Sequence, residues 1–232
     1  MSSTGRAQAF SRSAWAQFPA SSVVARLVSA GSAVAVERNT FIYRQAQRAD
    51  RVFYLEAGLV KIDNASPEGR HAVIAVLGAG AFFGESCLAG YGARKTSARA
   101  LADSRLVSIR KSTMRGLLRS DFDVSRYFTE YMIRRLARAE EDLIDLRVNS
   151  VERRLARALL VLASMDEEVQ SQPVLAAVNQ QTLAEIVGST RPRINLLLSK
   201  FRRRGYISAK GPLKVSSSLV NVLLRDKTVR GA

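Results

Sequence analysis

The sequence has one cysteine, one histidine and no long apolar run, and each shortage excludes a class of protein. Cys87 and His71 are alone of their kinds among the 232 residues. Disulfides within the chain, cysteine-built zinc sites and four-cysteine iron–sulfur clusters are therefore excluded. No apolar stretch approaches the roughly 20 residues that span a bilayer. We expect a cytoplasmic protein with no bound metal and no membrane partner.

Acidic residues are scarce as well. The chain has 36 Lys and Arg residues against 20 Asp and Glu residues, for a formal net charge of +16. This excess favours a polyanionic partner, and charge alone leaves open whether that partner is DNA, RNA or an anionic membrane. Residues 1–33 contain no acid and are rich in Ser, Ala and Arg. They superficially resemble a transit peptide, but we expect a disordered or loosely docked arm.

A segment near the C-terminus predicts two short helices joined by a glycine turn. Asn179 can cap the first helix, Gly188 supplies the bend, and Gly205 ends the second helix. Ala184 lies four residues before the glycine and Ile194 six residues after it, so the two helices can cross closely around an apolar plug. This spacing is typical of a helix-turn-helix that reads double-stranded DNA.

The second helix of this segment has an apolar face and a basic face. Its apolar stripe, at helical spacing, consists of Ile194, Leu197, Leu198 and Phe201. Six cations and no acid occur between Ser189 and Gly205, as contact with phosphates requires. The alternative is a helical hairpin with a solvated basic face. The residues predicted to contact DNA are Thr190, which also caps the helix, Arg191, Arg193, Asn195, Leu196, Ser199, Lys200 and Arg203.

Two short strand signals and a turn follow the basic helix. The strands are Tyr206-Ile207-Ser208 and Leu213-Lys214-Val215, and the turn is Lys210-Gly211-Pro212. This order predicts a winged helix-turn-helix. Lys210 and Lys214 would lie near the wing tip, close to the DNA backbone.

Short β-rich runs separated by turns extend from Val34 to about Lys111 and predict a small β-barrel or jelly roll, followed by a short helix around Thr113–Arg119. The predicted strands are Thr40–Tyr43, Val52–Leu55, Leu59–Ile62, His71–Leu77 and Leu106–Ile109. Two of the early turns lack glycine. Asn39 tolerates a left-handed backbone, whereas Ala46 does not, so the sequence leaves the local geometry of these turns open.

A long helix is predicted to begin at Asp121 or Asp123, either of which can cap it, and to end near Val148. Its apolar residues recur at alternating steps of four and three and form a heptad seam: Met132, Leu136, Ala139, Leu143 and Leu146. We expect the same helix of a second copy to fill this seam and make a homodimer. The alternative is that the stripe packs on the chain's own barrel.

A hinge is predicted at Asn149 and Ser150, where Asn149 and Glu152 form a capping-box-like pair that opens the next helix. The chain is therefore predicted to have an α+β fold in four parts. An N-terminal arm (1–33) precedes a cyclic-nucleotide-binding-like β-barrel or jelly roll (34–121). A dimerisation helix (122–149) and a winged helix-turn-helix domain (150–232) follow.

Three segments carry a family resemblance: FFGESCLAGYGARKTSARA (Phe82–Ala100), VERRLARALLVLA (Val151–Ala163) and QTLAEIVGSTRPRINLLLSKFRRRGYI (Gln181–Ile207). In this order the chain resembles the bacterial regulators grouped with the cyclic-AMP receptor protein and the fumarate–nitrate reduction regulator. The resemblance implies a homodimeric, sequence-specific transcription regulator that also contacts RNA polymerase. It further implies that an effector in the barrel controls the hinge.

The resemblance also implies a phosphate-binding cassette. Gly84 and Glu85 match the family's glycine–glutamate pair, and Arg94 matches its phosphate-binding arginine. Lys95 stands where cyclic-nucleotide binders have a serine or threonine, and Thr96 follows one residue later. Lys95 either replaces that donor or points away. The other interpretation is that Glu85 and Arg94 form a salt bridge inherited with the fold and bind nothing.

Other departures from the family pattern bear on the ligand and the operator. Ala139 and Glu140 occupy the positions of the hydroxylated pair that contacts adenine in cyclic-AMP binders, which disfavours cyclic AMP among cyclic nucleotides. The missing cysteines exclude an iron–sulfur cluster. In the reading helix, Pro192 and Leu196 replace a common glutamate and arginine, so the half-site is expected to differ from the familiar one.

Three rival functions follow from the same residues. The first is a constitutive DNA-binding regulator whose barrel binds no effector and serves as a dimerisation scaffold. The second is an enzyme, which is disfavoured because no catalytic group is assembled in the sequence. The third is a nucleotide-sensing module that binds RNA or a protein. Cys87 lies inside the cassette, where it is either an oxidation sensor or a small core residue.

Overall fold

The computed structural model describes residues 21–65, 71–166, 174–211 and 213–224. These residues form two compact units, one up to Glu140 and the other from Glu141 onward. The predicted α+β fold is confirmed: a β-sheet domain precedes a long helix and a winged helix-turn-helix. In the described part of the chain, no helix is long and apolar enough to cross a membrane.

Among the described residues, eight strands form two antiparallel sheets around an apolar core. The strands are β1 (Ser32–Val36), β2 (Phe41–Tyr43), β3 (Arg51–Ala57), β4 (Val60–Ala65), β5 (His71–Leu77), β6 (Phe82–Phe83), β7 (Ser97–Ala100) and β8 (Ser104–Arg110). Their order is β1-β8-β3-β6 in one sheet and β2-β7-β4-β5 in the other. Val52, Leu55 and Leu106 are fully buried between the sheets. The predicted strands of the barrel are all present, while β1, β6 and β7 were not predicted.

The helices are α1 (Ser21–Ser29), α2 (Lys111–Ser120), α3 (Phe122–Val148), α4 (Val151–Asp166), α5 (Val174–Ala177), α6 (Gln180–Val187), α7 (Arg191–Arg203) and α8 (Val220–Leu224). In the ranges that the structure describes, short 3-10 helices span Glu85–Ala89 and Ser217–Leu219.

The prediction of a loose arm is wrong for Ser21–Ser29. These residues form α1, whose Leu27 is fully buried in the barrel core. The Arg26 guanidinium lies 2.9 Å from the Asp121 carboxylate and fixes the helix at a second point. Composition suggested disorder, but an apolar stripe at helical spacing gives this segment a face to bury. The earlier part of the predicted arm lies outside the described residues.

The turn at Ala46, whose geometry the sequence left open, is left-handed. Ala46 has φ 69° and Asn39 has φ 67°, so both residues adopt the left-handed conformation. The Ala46 amide donates to the carbonyl of Arg94 at 2.9 Å, and the Arg94 amide donates to the carbonyl of Gln47 at 2.8 Å. These bonds hold the alanine in a conformation that costs roughly 1–2 kcal/mol.

The long helix α3 begins where the Asp121 carboxylate accepts a bond from the Val124 amide at 3.1 Å, as predicted for one of the two candidate caps. Its first half buries Val124, Tyr127, Phe128 and Tyr131 in the barrel core. The aromatic residues of this half therefore anchor the helix to the barrel.

The predicted capping box at the hinge is wrong. The Arg153 amide donates to the Ser150 side chain, and the Arg154 amide donates to the Ser150 carbonyl, so Ser150 is the cap. The Asn149 side chain instead donates to Asp145, one turn back in α3. The Glu152 carboxylate instead forms an ion pair with Lys200 of α7.

Candidate nucleic-acid interface and effector cassette

The predicted helix–turn–helix is formed by α6 and α7. The Asn179 side chain accepts from the Thr182 amide at 2.8 Å, which confirms the predicted cap. Gly188 ends α6 with φ 66°, a left-handed conformation that glycine adopts without strain. Ala184 and Ile194 are both buried, so the apolar plug between the helices is confirmed.

The four residues of the predicted apolar stripe of α7 are buried, which leaves the basic face outward. The helix ends in two backbone bonds: the Gly205 amide donates to Arg202 at 3.0 Å and the Tyr206 amide donates to Phe201 at 3.0 Å. The rings of Phe201 and Tyr206 also pack edge to face. This is a Schellman end with its usual apolar contact.

Most of the residues predicted to contact DNA lie on the exposed face of α7. The side chains of Arg191, Arg193, Asn195, Ser199 and Arg203 are exposed. Leu196, at the centre of this face, is 56% exposed despite being apolar. The apolar core of the chain does not bury this leucine side chain. Contact with the methyl group of a thymine would bury it.

Two of the predicted residues differ from their expected roles. Thr190 stands at the start of α7, where its carbonyl accepts from the Ile194 amide, but its side chain makes no capping bond. Its hydroxyl is therefore not committed to the helix. Lys200 is half-buried, and its Nζ lies 2.6 Å from Oε2 of Glu152 on α4. An ion pair thus engages the lysine ammonium that was predicted to contact DNA.

The wing is a short hairpin held by one β-bridge between Ile207 and Val215. The Ser208 amide donates to the Lys214 carbonyl at 2.9 Å and closes the pair. Lys210 and Lys214 are exposed, as the hairpin prediction requires. Pro212 of the predicted turn lies outside the described residues.

Sequence reasoning missed a cavity of about 520 Å³ beside α7. Its polar lining includes Asn179 and Gln180 at the start of α6, together with Arg191 and Arg202 of α7. The positive end of the α6 dipole and two guanidinium groups make this an electropositive depression.

In the second half of α3, most of the predicted seam is exposed. Leu136 is 61% exposed and Leu143 is 51% exposed, and Ala139 and Leu146 are also exposed. Met132 differs, because it packs against the barrel core. The alternative that the stripe packs on the chain's own barrel therefore applies to Met132 and not to the exposed leucines.

The predicted cassette follows β6. Gly84 has φ 76° and precedes the 3-10 helix Glu85–Ala89. A Cβ at Gly84 would lie only 2.6 Å from Nη1 of Arg94, so the close approach of that arginine requires glycine.

Arg94 is turned into the barrel and is only 4% exposed. Its Nη1 donates to the Gly84 carbonyl at 2.9 Å, and its Nη2 donates to the Arg51 carbonyl at 2.8 Å. The guanidinium lies 4.3 Å above the ring of Tyr43 and 5.5 Å from that of Phe53. Two carbonyls and two aromatic rings therefore compensate the loss of hydration of this buried cation.

Glu85 does not pair with Arg94 but with an arginine of α3. Its Oε1 lies 3.0 Å from Nη1 of Arg135. The same nitrogen donates to the Phe82 carbonyl at 3.1 Å, which also accepts from the Tyr131 hydroxyl at 3.0 Å. The proposed inherited Glu85–Arg94 salt bridge is thus absent here. Nothing in the sequence pattern singled out Arg135.

The two predicted phosphate donors after Arg94 diverge. Lys95 is exposed, and its Nζ lies 4.6 Å from the ring centre of Tyr91. The Thr96 side chain is hydrogen-bonded to the Tyr43 hydroxyl, and burial raises the pKa of that tyrosine.

Cys87 is fully buried in the barrel core, as expected for a small core residue. Its Sγ lies 3.6 Å from the Arg51 carbonyl. Burial raises the pKa of the Cys87 thiol, which opposes formation of the reactive thiolate.

Two buried polar atoms of the cassette have no hydrogen-bond partner among the described residues: Nε of Arg94 and Oε2 of Glu85. Buried polar groups are normally satisfied. A ligand with an anionic oxygen and a hydroxyl group has the acceptor and the donor that these atoms lack.

Two family models match the chain: a cyclic nucleotide-binding domain over residues 33–121 and a Crp-like helix-turn-helix domain over residues 153–217. The CRP-like cAMP-activated global transcriptional regulator of Mycobacterium tuberculosis is 29% identical over 192 residues, which cover 82% of this chain and 86% of that protein. The nitrogen fixation regulation protein FixK of Azorhizobium caulinodans is 27% identical over 208 residues, which cover 88% and 80%. The structure of FixK2 from Bradyrhizobium japonicum shares the fold, with a TM-score of 0.71 at 18% identity over 84% of this chain and 96% of that one.

Proposed function

Because the chain belongs to the bacterial transcription regulators grouped with the cyclic-AMP receptor protein and the fumarate–nitrate reduction regulator, we propose that it binds specific DNA half-sites as a homodimer under the control of a barrel effector. The observation that carries this proposal is the exposed face of α7, which presents cations, amide and hydroxyl groups without an acid. Double-stranded DNA lies in the bacterial cytoplasm, where we place the protein. RNA polymerase is the partner expected from the family.

Base reading is assigned to Arg191, and sequence-independent binding to Arg203. Arg191 lies in the first turn of α7, the part of a recognition helix that enters the major groove, and its guanidinium can bond both acceptors of guanine. Arg203 lies in the last turn, where it is suited to phosphate contact. The cavity lined by Arg191 and Arg202 adds an electropositive depression for the DNA backbone.

Selection of bound duplexes from a random pool tests this assignment. Arg191→Ala should cost roughly 1–3 kcal/mol at one base position of the selected operator. Arg203→Ala is the matched control and should weaken operator and random DNA alike. Equal losses on both DNAs for Arg191→Ala would refute its base-reading role.

The homodimer is proposed from the exposed seam of α3. Leu136 and Leu143 are one heptad apart, and a second copy of the helix would bury both. We expect the wild type to sediment as a dimer at micromolar concentration and the double variant Leu136→Asp, Leu143→Asp to sediment as a monomer. Ala137→Asp adds a charge at an exposed position off the seam and should leave the dimer intact. A wild-type monomer, with and without DNA, would refute the dimer.

A cyclic nucleotide is the proposed class of effector. The unpaired atoms of Arg94 and Glu85 support this class, since a cyclic phosphate accepts and a ribose hydroxyl donates. Ala139 and Glu140 are exposed and cannot reproduce a hydroxylated adenine contact, so cyclic AMP is the least favoured member.

Calorimetry with cyclic AMP, cyclic GMP and cyclic di-GMP tests the effector. We expect one of the last two to bind wild-type protein and to change its operator affinity, and Arg94→Met to abolish binding. Binding of none of the three, with operator affinity unaltered, would favour the constitutive regulator with a scaffolding barrel.

A further inference from the structure

A short ion pair joins the recognition helix to the start of the hinge helix. Nζ of Lys200, in the last turn of α7, lies 2.6 Å from Oε2 of Glu152, in the first turn of α4. The side chains are 33% and 26% exposed respectively, so solvent screens the pair only in part. The distance is that of a direct, charge-assisted hydrogen bond.

The pair distinguishes Lys200 from the other cations of α7. Arg191, Arg193 and Arg203 are exposed. Lys200 lies at the border between the outer face and the buried stripe that ends at Phe201, and its ammonium is engaged by a carboxylate. The stretch from Ser189 to Gly205 has no acid of its own. The carboxylate is therefore supplied by a different helix of the same unit.

We propose that Glu152 sequesters Lys200 from DNA phosphates and thereby lowers the sequence-independent part of DNA affinity. Each phosphate neutralised by a cation releases counterions, and this release supplies most of the binding to random DNA. A lysine held by a carboxylate contributes no such release unless the pair breaks. Glu152 is then a positioning residue that limits how strongly the regulator is retained on random sequences. The inference rests on α7 being the helix that contacts DNA.

The test compares the salt dependence of binding to a random duplex for five proteins: wild type, Glu152→Gln, Lys200→Gln, the double variant and Glu37→Gln. Glu37 lies in an exposed turn of the barrel, so its substitution matches the change in net charge without touching the reading helix. Arg203→Gln is added as a positive control for phosphate contact. Circular dichroism and urea unfolding establish that each variant is folded before binding is measured.

Glu152→Gln should free Lys200 to contact a phosphate. The slope of log K against log salt should then become steeper by about 0.9 per protomer, which corresponds to an affinity about eightfold higher at 0.1 M salt. Lys200→Gln alone should leave the wild-type slope unchanged, and the double variant should return to it. The proposal is overturned if Lys200→Gln alone lowers the slope by about 0.9, or if Glu152→Gln behaves like Glu37→Gln. If Arg203→Gln also leaves the slope unchanged, the assignment of α7 to DNA binding fails rather than the role of Glu152.

Discussion

Nε of Arg154 donates a hydrogen bond to the carbonyl oxygen of Val187 at 2.9 Å, and so joins the hinge helix α4 to the end of α6. Nη1 of the same side chain donates to the carbonyls of Leu146 and Asn149, each at 3.0 Å. Leu146 also approaches the helix–turn–helix glycine, with its Cδ1 3.3 Å from where a Cβ of Gly188 would lie. One guanidinium thus satisfies carbonyls from the end of α3, the hinge and the end of α6.

Arg154→Lys should therefore destabilise the packing of α4 against the helix–turn–helix, although it conserves the charge. A lysine ammonium cannot span carbonyls that a planar guanidinium reaches from two nitrogens. We expect a loss of about 1–3 kcal/mol in the free energy of unfolding, measured by urea denaturation, and weaker operator binding. Arg147→Lys, at an exposed position of the last turn of α3, should have neither effect. Equal stability of the two variants would show that the hydrogen bonds of Arg154 to these three carbonyls do not stabilise the fold.

Gly84→Ala and Gly90→Ala separate backbone strain from steric conflict in the cassette. Both glycines have positive φ, 76° and 97°, so each alanine costs roughly 1–2 kcal/mol. Only at Gly84 would the new Cβ lie 2.6 Å from Arg94, whereas no atom lies within 4 Å at Gly90. We expect Gly84→Ala to be the more destabilising in urea and to displace Arg94. Similar losses for both variants would show that the arginine adapts without cost.

Ala46→Gly should stabilise the barrel. At φ 69° glycine avoids the steric cost that alanine pays, and after its greater loss of chain entropy the expected gain is about 0.5–1 kcal/mol in the free energy of unfolding. Ala35→Gly, at an exposed position of β1, should instead lose about 0.5–1 kcal/mol. Thermal and urea unfolding measure both. A loss at Ala46 would mean that its methyl group contributes packing that outweighs the strain.

The barrel should lose stability at alkaline pH. Burial raises the pKa of Tyr131 to about 12, while an unfolded chain releases the same proton near pH 10. The stabilisation is therefore fully present below about pH 10 and is lost as the pH rises toward 12, by roughly 3 kcal/mol. In Tyr131→Phe, the midpoint of urea unfolding should decrease less between pH 9 and 12 than it does in the wild type. If the decrease is the same in both proteins, the loss of stability belongs to other groups, among them Tyr54, whose pKa burial also raises to about 12.

Local signals of the helix–turn–helix were sufficient for its prediction. Asn179 caps α6 with its own side chain, and Gly188 adopts the conformation that glycine best accommodates. The apolar stripe ending at Phe201 follows directly from helical periodicity. Each of these features depends on residues within one or two turns of each other, so the sequence contains the necessary information.

The features that sequence reasoning missed depend on contacts between distant residues. Glu152 had the spacing of a capping box, but Lys200, 48 residues away, engages its carboxylate. Ala46 is left-handed because the segment at Arg94 imposes it through backbone bonds. Arg135 reaches Glu85 across 50 positions of sequence by virtue of the packing of α3. β7 was not predicted because its buried residues, Ala98 and Ala100, are too small to give the apolar alternation that is typical of a strand.

Phe82 belongs to a strand of two residues, yet it is tied to α3 through both its ring and its backbone. Its ring packs edge-on against Tyr127, Phe128 and Tyr131, while its carbonyl accepts from Tyr131 and Arg135. The cassette begins two residues later. Any movement of Phe82 would therefore act directly on α3, the helix whose next turn bears the exposed Leu136.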